Sequence, residues 1–232
     1  MSANRRVLNS EERVLLEQRG CSALSWDEVT VAEDFRPDQL RNVRFEGRTS
    51  IGSRTRISDS TIANYAIGND CCIDDVLRME CRHSSLFGNG VMVSTVNENG
   101  GRSIPIYNEL TSQIAYLMAM MRNKVAMSEE LQRKVMAEAE KVRSEIGRVG
   151  DNVTILGVRF IREVNIADNV SIEGASHIEN GTILEGCKIG VDVRAKDFIA
   201  DCHSIIESGA CVERCFVGEK SHLANGFTAA DS

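Results

Sequence analysis

The feature that most constrains this chain is a spacing. From Val149 onward, aliphatic side chains recur at steps of 6, 6 and 5: Val149, Ile155, Ile161, then Ile166, Ile172, Ile178, then Ile183, Ile189, Ala195. The steps sum to 17, and carrying the register forward lands on Ala200, Ile206, Val212, Val217, Leu223 and Ala229, all apolar. An amphipathic helix returns to one face about every 3.6 residues, so this period excludes it. The spacing instead predicts a coil of three short strands, each pointing one aliphatic side chain at a common axis. Successive coils then stack like residues in columns such as Ile155, Ile172, Ile189, Ile206 and Leu223. Stacked strands lie about 4.8 Å apart, so seven to eight coils predict a three-walled tube roughly 35 Å long.

The first part of the chain keeps the pattern more loosely. Phe45, Ile51 and Ile57 are followed by Ile62, with Met79 and Val96 again at steps of 17. Ile67 and Ile73 fall one residue early, which reads as a shortened corner, and Ser85 occupies an inward position that should be apolar. Corners need residues that tolerate tight backbone geometry, and Gly150-Asp151-Asn152, Ala167-Asp168-Asn169 and Gly190-Val191-Asp192 supply them. Aromatic residues make up only 5% of the chain, so its core must be aliphatic, which suits narrow, uniform layers.

The units Ile51-Gly-Ser-Arg-Thr-Arg, Val149-Gly-Asp-Asn-Val-Thr, Ile166-Ala-Asp-Asn-Val-Ser and Val217-Gly-Glu-Lys-Ser-His resemble the hexapeptide repeat of the left-handed parallel β-helix superfamily. The resemblance covers roughly residues 40–96 and 149–232, and it alone implies the left hand, since parallel crossovers are ordinarily right-handed. That superfamily includes sugar and lipid acyltransferases, tail domains of sugar nucleotidyltransferases and γ-class carbonic anhydrases. The stretch Leu8 to Gly47 also resembles the start of longer hexapeptide-repeat proteins. The expected fold is mainly β: a left-handed parallel β-helix in two segments, 40–96 and 149–232, with an N-terminal helical cap (1–39) and an inserted helical hairpin (97–148).

Outside the coils, Ser10 followed by Glu11 and Glu12 predicts a helix N-cap, and Gly20 fits its C-terminal stop. Asn99-Gly100-Gly101 between Met92–Val96 and Ser103–Ile106 predicts a β-hairpin turn. Two helices follow, one with Leu110, Ile114, Leu117, Met118 and Met121 on a stripe, the other starting at Ser128-Glu129-Glu130. The Met118, Met120, Met121 patch reads either as packing or as an adaptable surface for an acyl chain. The chain stops at Ala229-Ala-Asp-Ser still in register, which predicts a fragment of a longer protein or a covered last coil.

Composition removes several function classes. A hydrophobic share of 42% and a charged share of 26% exclude wholesale disorder. No apolar run approaches the roughly 20 residues that span a bilayer. Polar residues Asn9 to Arg13 follow the basic start, so no export leader is expected and the chain is read as cytoplasmic. With 34 acids against 27 bases, a broad nucleic-acid face is excluded. Eight cysteines contain no C-x-x-C pair, so they read as small buried fillers in a reducing compartment. No pair of histidines has the spacing of a γ-carbonic-anhydrase zinc site, and no metal is expected.

The resemblance implies a histidine acting as general base on the outer surface of a coil. His177 and His222 each precede an inward aliphatic and face outward on different columns, and His203 stands near a corner. Each also reads as an ordinary surface histidine, and the acids Glu179, Glu185, Asp201 and Glu207 nearby do not discriminate. The one basic stretch includes Arg41, Arg44, Arg48, Arg54 and Arg56, candidates for the phosphates of a nucleotide-sugar or coenzyme A. The expected function is acyl transfer to a sugar or nucleotide-sugar. An acyl-coenzyme A or acyl-carrier protein would be the donor, no cofactor would be held tightly, and the chain would form a homo-oligomer, a trimer foremost. The alternative is a non-catalytic scaffold or the regulatory tail of a sugar nucleotidyltransferase.

Overall fold

The computed structural model describes residues 5–94, 103–120 and 125–232. The chain is mainly β, with one 20-stranded sheet, a two-stranded sheet and three α-helices among the described residues. The expected register is observed: Ile155 pairs with Ile172, Ile172 with Ile189, and Ile189 with Ile206, all parallel. A second ladder runs Phe45, Ile62, Met79, Ile161, Ile178, Ala195, Val212, Ala229. The third runs Ile67, Val149, Ile166, Ile183, Ala200, Val217. We name them the Ile155, Ile161 and Ile166 ladders. Their aliphatic side chains meet in one buried cluster, so the core lies between the three ladders.

Corners are made by residues with positive φ inside long strands. Glu163, Asn180, Asp197 and Arg214 recur at one such corner with φ between 45° and 55°. They turn strands such as Phe160–Ile166 and His177–Ile183 from the Ile161 ladder onto the Ile166 ladder. The shortened corner is real: Arg56 pairs with Cys72 and Ile57 with Ile73. Aromatics sit where a neighbouring coil offers glycine. A Cβ on Gly147 would lie 2.4 Å from the Tyr65 ring, and one on Gly181 would lie 2.3 Å from the Phe198 ring. The Tyr65 hydroxyl, fully buried, donates to the Val164 carbonyl at 3.0 Å and accepts from its amide at 3.2 Å.

Several expected boundaries are corrected by pairing. The stack begins before residue 40, because Ser22–Ala23 pairs with Leu40–Phe45 and Val29–Ala32 with Thr49–Ile51. It is interrupted after Cys81, well before residue 96: Gly147–Val149 returns to pair with Tyr65–Ile67, and Phe160–Arg162 with Arg78–Glu80. Residues 82–146 are therefore the insert. Ser85, expected inside a coil, pairs antiparallel with Ser144 at the insert's neck, where a free backbone edge outcompetes a register that offered no apolar side chain. The helix α1 (Ser10–Gln18) is capped one residue early: the Asn9 side chain accepts from the Glu12 amide at 2.8 Å, and Glu12 accepts from the Asn9 amide at 2.9 Å.

Within the insert, Met92–Val93 pairs antiparallel with Ile104–Pro105; the expected Asn99-Gly100-Gly101 turn lies outside the described residues. Helices α2 (Ser112–Met120) and α3 (Val125–Glu140) follow, α3 starting three residues before the expected Ser128. Met118 is buried and Met120 exposed, while Met121 lies outside the described residues. Val93, Ile104, Ile106, Met118 and Val135 form a small core that closes onto Ile199 and Phe216, outward residues of the Ile166 ladder. The insert thus covers the C-terminal half of that ladder's outer face.

Candidate functional site

Each strand of the Ile155 ladder presents one residue before its buried aliphatic and one after it. The first column reads Arg56, Cys72, Thr154, Ser171, Lys188, Ile205, His222. The second places Asp74, Leu156 and Glu173 in register, with Gly190 and Glu207 following Ile189 and Ile206. Gly190 has no side chain to fill its place between Glu173 and Glu207. A Cβ there would meet the Ser208 amide at 2.9 Å, so the backbone itself enforces the gap. The result is a notch of about 390 Å³ lined by Ser171, Glu173, Lys188, Gly190, Glu207 and Asn225, among others.

His222 stands at the edge of this notch with its Nε2 at 2.7 Å from Glu207 Oε1. The other Glu207 oxygen accepts the Asn225 amide at 3.1 Å, which fixes the carboxylate. An ionised carboxylate only accepts, so it holds the proton on Nε2 and leaves Nδ1 as the basic nitrogen. Glu173 accepts from the Ser171 hydroxyl at 2.9 Å. Lys188, between them, has no carboxylate at ion-pair distance among the described residues and presents its charge to the notch. A hydroxyl and a cation therefore line one recess, and the histidine reaches it through Glu207, which lines it.

The other expected residues are placed elsewhere. His177 lies on the Ile161 ladder between Phe160 and Arg194, its Nε2 at 2.7 Å from Glu179. The hydrogen bond from His177 holds the Glu179 carboxyl below the usual range. Beside it runs a column of alternating charge that starts at the buried Glu80 and continues through Arg162 and Glu179 to the exposed Lys196 and Glu213. His203 is a corner residue with φ 58°, and its ring covers Gly186, where a Cβ would lie 2.2 Å from Nδ1. The three histidines form no common site.

The five arginines are not brought together as one phosphate cradle either. Arg41 pairs with Asp59 at 2.5 Å, Arg44 with Glu46 at 2.7 Å, Arg48 with Glu145 at 3.0 Å and Arg54 with Asp70 at 2.6 Å. Each carboxylate competes with any bound phosphate. Arg54 and Arg56 do share one hollow, lined as well by Arg36, but Asp34, Asp38 and Asp70 line it with them. Five of the eight cysteines are buried, and burial raises the Cys71 thiol to about 11, so it is not a thiolate nucleophile at neutral pH. Among the described residues no cluster of His, Cys, Asp or Glu is placed to hold a metal ion. Nor is any described helix long and apolar enough to cross a membrane.

Lys188 escaped the sequence reading and Gly190 was read only as a corner residue, although a signal existed. Extending the 17-residue register to the outward positions aligns Ser171, Lys188 and His222 in one column. The pairing of His222 with Glu207 had no such signal, because the two residues meet across adjacent coils.

Comparison with known proteins finds similarity in sequence. A protein of Treponema pallidum (strain Nichols), described only as "Uncharacterized protein", is 23% identical over 219 residues, covering 77% of this chain and 30% of its own length. The chain therefore spans less than a third of that relative. The family described as "Domain of unknown function (DUF4954)" matches residues 56–232, from the strand Arg56–Ala63 through the insert and the whole notch. That match takes in well over half of the sequence, so the chain belongs to the DUF4954 family.

Proposed function

We propose that the three-ladder stack is a left-handed β-helix of the hexapeptide-repeat type and that its notch transfers an acyl group from a thioester to a hydroxyl or amine of a sugar or nucleotide-sugar. The observation that carries this reading is the His222–Glu207 pair at the edge of the Gly190 notch. Nδ1 of His222 takes the acceptor's proton as the acceptor oxygen or nitrogen bonds to the thioester carbon. The carbon–sulfur bond then breaks, and the leaving thiolate recovers that proton from the imidazolium. Lys188 offsets the charge that develops on the carbonyl oxygen. A homotrimer packed along the stack would close the notch from its open side.

The test is to incubate the protein with acyl-coenzyme A or acyl-carrier protein and a panel of nucleotide-sugars, and to read acylated product by mass spectrometry. We expect His222→Ala to lower the rate about 10²–10⁴-fold and His177→Ala to leave it unchanged. Full activity in His222→Ala, or absence of any acylated product, refutes the reading. The second reading is a non-catalytic scaffold, supported by the alternating charges along the Ile161 ladder. It predicts no turnover and an unchanged assembly in the same histidine variants.

A further inference from the structure

The N-terminal half of the Ile166 ladder is not covered by the insert, and its outer face carries a second hollow of about 480 Å³. The local sequence creates it. Along the outward column Ser50 pairs with Ala66 and Ala66 with Arg148, so the middle side chain is only a methyl group. At the adjoining corner Gly68 and Gly150 lie so close that a Cβ on Gly68 would sit 2.3 Å from the Gly150 carbonyl oxygen.

Two arginines line this hollow, Arg5 from the strand Arg5–Val7 and Arg148 from the strand Gly147–Val149. Neither has a carboxylate at ion-pair distance among the described residues. Arg5 donates from Nη2 to the Ile67 carbonyl at 3.2 Å, while its Nη1 is shut off from water with no hydrogen-bond partner among the described residues. Burial lowers the Arg5 pKa, with the charge of Asp151 acting in the opposite direction. A guanidinium does not shed its proton at physiological pH, so its charge requires a counter-charge. Asp151 is the one carboxylate lining the hollow, and its Oδ1 already accepts from the Asn69 amide at 2.7 Å and from Asn69 Nδ2 at 3.2 Å.

We infer that this hollow binds a phosphoryl group, held by the Arg5 and Arg148 guanidinium groups with the Ser50 hydroxyl as a third donor. Forked donors on two arms match a tetrahedral anion with several terminal oxygens, and the notch formed by Ala66 leaves room for it. The source is either free phosphate or the phosphate of a monoester. This site lies on a different ladder from His222, so its fate is independent of the acyl-transfer reading.

Calorimetric titration at constant ionic strength, with inorganic phosphate and separately with glucose 6-phosphate, tests the assignment. We expect saturable one-to-one binding of at least one of them. Arg148→Gln and Arg5→Gln should each weaken it tenfold or more, and Ala66→Glu should abolish it while keeping both arginines. Tighter binding of the monoester assigns a phosphorylated metabolite, and tighter binding of inorganic phosphate assigns the free ion. Absence of saturable binding by the wild-type protein overturns the inference, as does binding that Arg148→Gln and Ala66→Glu leave intact. Arg148 and Ala66 are outward residues, so these two variants keep the test decisive even if Arg5→Gln does not fold.

Discussion

Excising the insert tests the stacking directly. The chain resumes at Gly147 in the register it left, pairing Gly147–Val149 with Tyr65–Ile67 and Thr154–Leu156 with Cys72–Asp74. In uninterrupted coils one corner residue links the ladders: Asn64 between Ala63 and Tyr65, and Glu163 between Arg162 and Val164. Cys81 occupies that place before the insert. Deleting residues 82–146, which removes 147 minus 82 or 65 residues, joins Cys81 directly to Gly147. The corner demands positive φ, 57° at Asn64 and 52° at Glu163, so Cys81→Asn accompanies the deletion.

Two energies decide the outcome. Uncovering Ile199 and removing Phe87, an insert residue fully buried in the stack's own core, together cost about 3–6 kcal/mol. Against this, loop closure costs about 0.6 kcal/mol per doubling of length, so removing a loop of about six doublings returns roughly 3–4 kcal/mol. The spliced chain is therefore expected to keep its β-sheet circular dichroism and to unfold in urea with a stability within about 3 kcal/mol of the wild-type stack. Its denaturant slope should be smaller, because less surface is exposed on unfolding. A spliced chain that is unfolded without urea, or weaker by more than about 5 kcal/mol, would refute the continuous-ladder argument.

Three further outcomes follow from the packing and the charges. Gly181→Ala forces a Cβ into the Phe198 ring and should cost about 1–3 kcal/mol in urea unfolding, partly recovered by adding Phe198→Leu; a neutral Gly181→Ala contradicts the aromatic-on-glycine packing. Ile172→Ala, at the middle of the Ile155 ladder, should cost about 2–5 kcal/mol, and a cost below about 1 kcal/mol would show that the column is not a tight core. Burial pushes the Glu80 carboxyl up, but hydrogen bonds from Arg78 and Arg82 outweigh it and hold it below its usual range. A group depressed by folding contributes stability that is fully present above its unfolded pKa of about 4.3 and is lost as pH falls through the folded value. The advantage of wild type over Glu80→Gln should be about 1–3 kcal/mol at neutral pH, because the arginines are partly solvated, and should shrink in acid. Equal differences in urea midpoint from pH 7 to pH 3 would contradict this account.

The sequence by itself determined the ladders, because the spacing of aliphatic residues along the chain sets which side chains face inward, whatever else the chain does. It even located the shortened corner at Ile67 and Ile73. It did not show that Met79 takes Ile161 as its next partner; Val96, expected 17 residues on, lies outside the described residues. Nothing local records that Gly147 is captured by the open edge at Tyr65, 82 positions earlier, since backbone hydrogen bonding selects whichever strand arrives in register. Outward positions are less legible still. Inward packing rewards one kind of residue, whereas an exposed position tolerates many, so His222 meeting Glu207, four arginines meeting acids, and Arg5 meeting Arg148 around one hollow were decided only when the coils stacked.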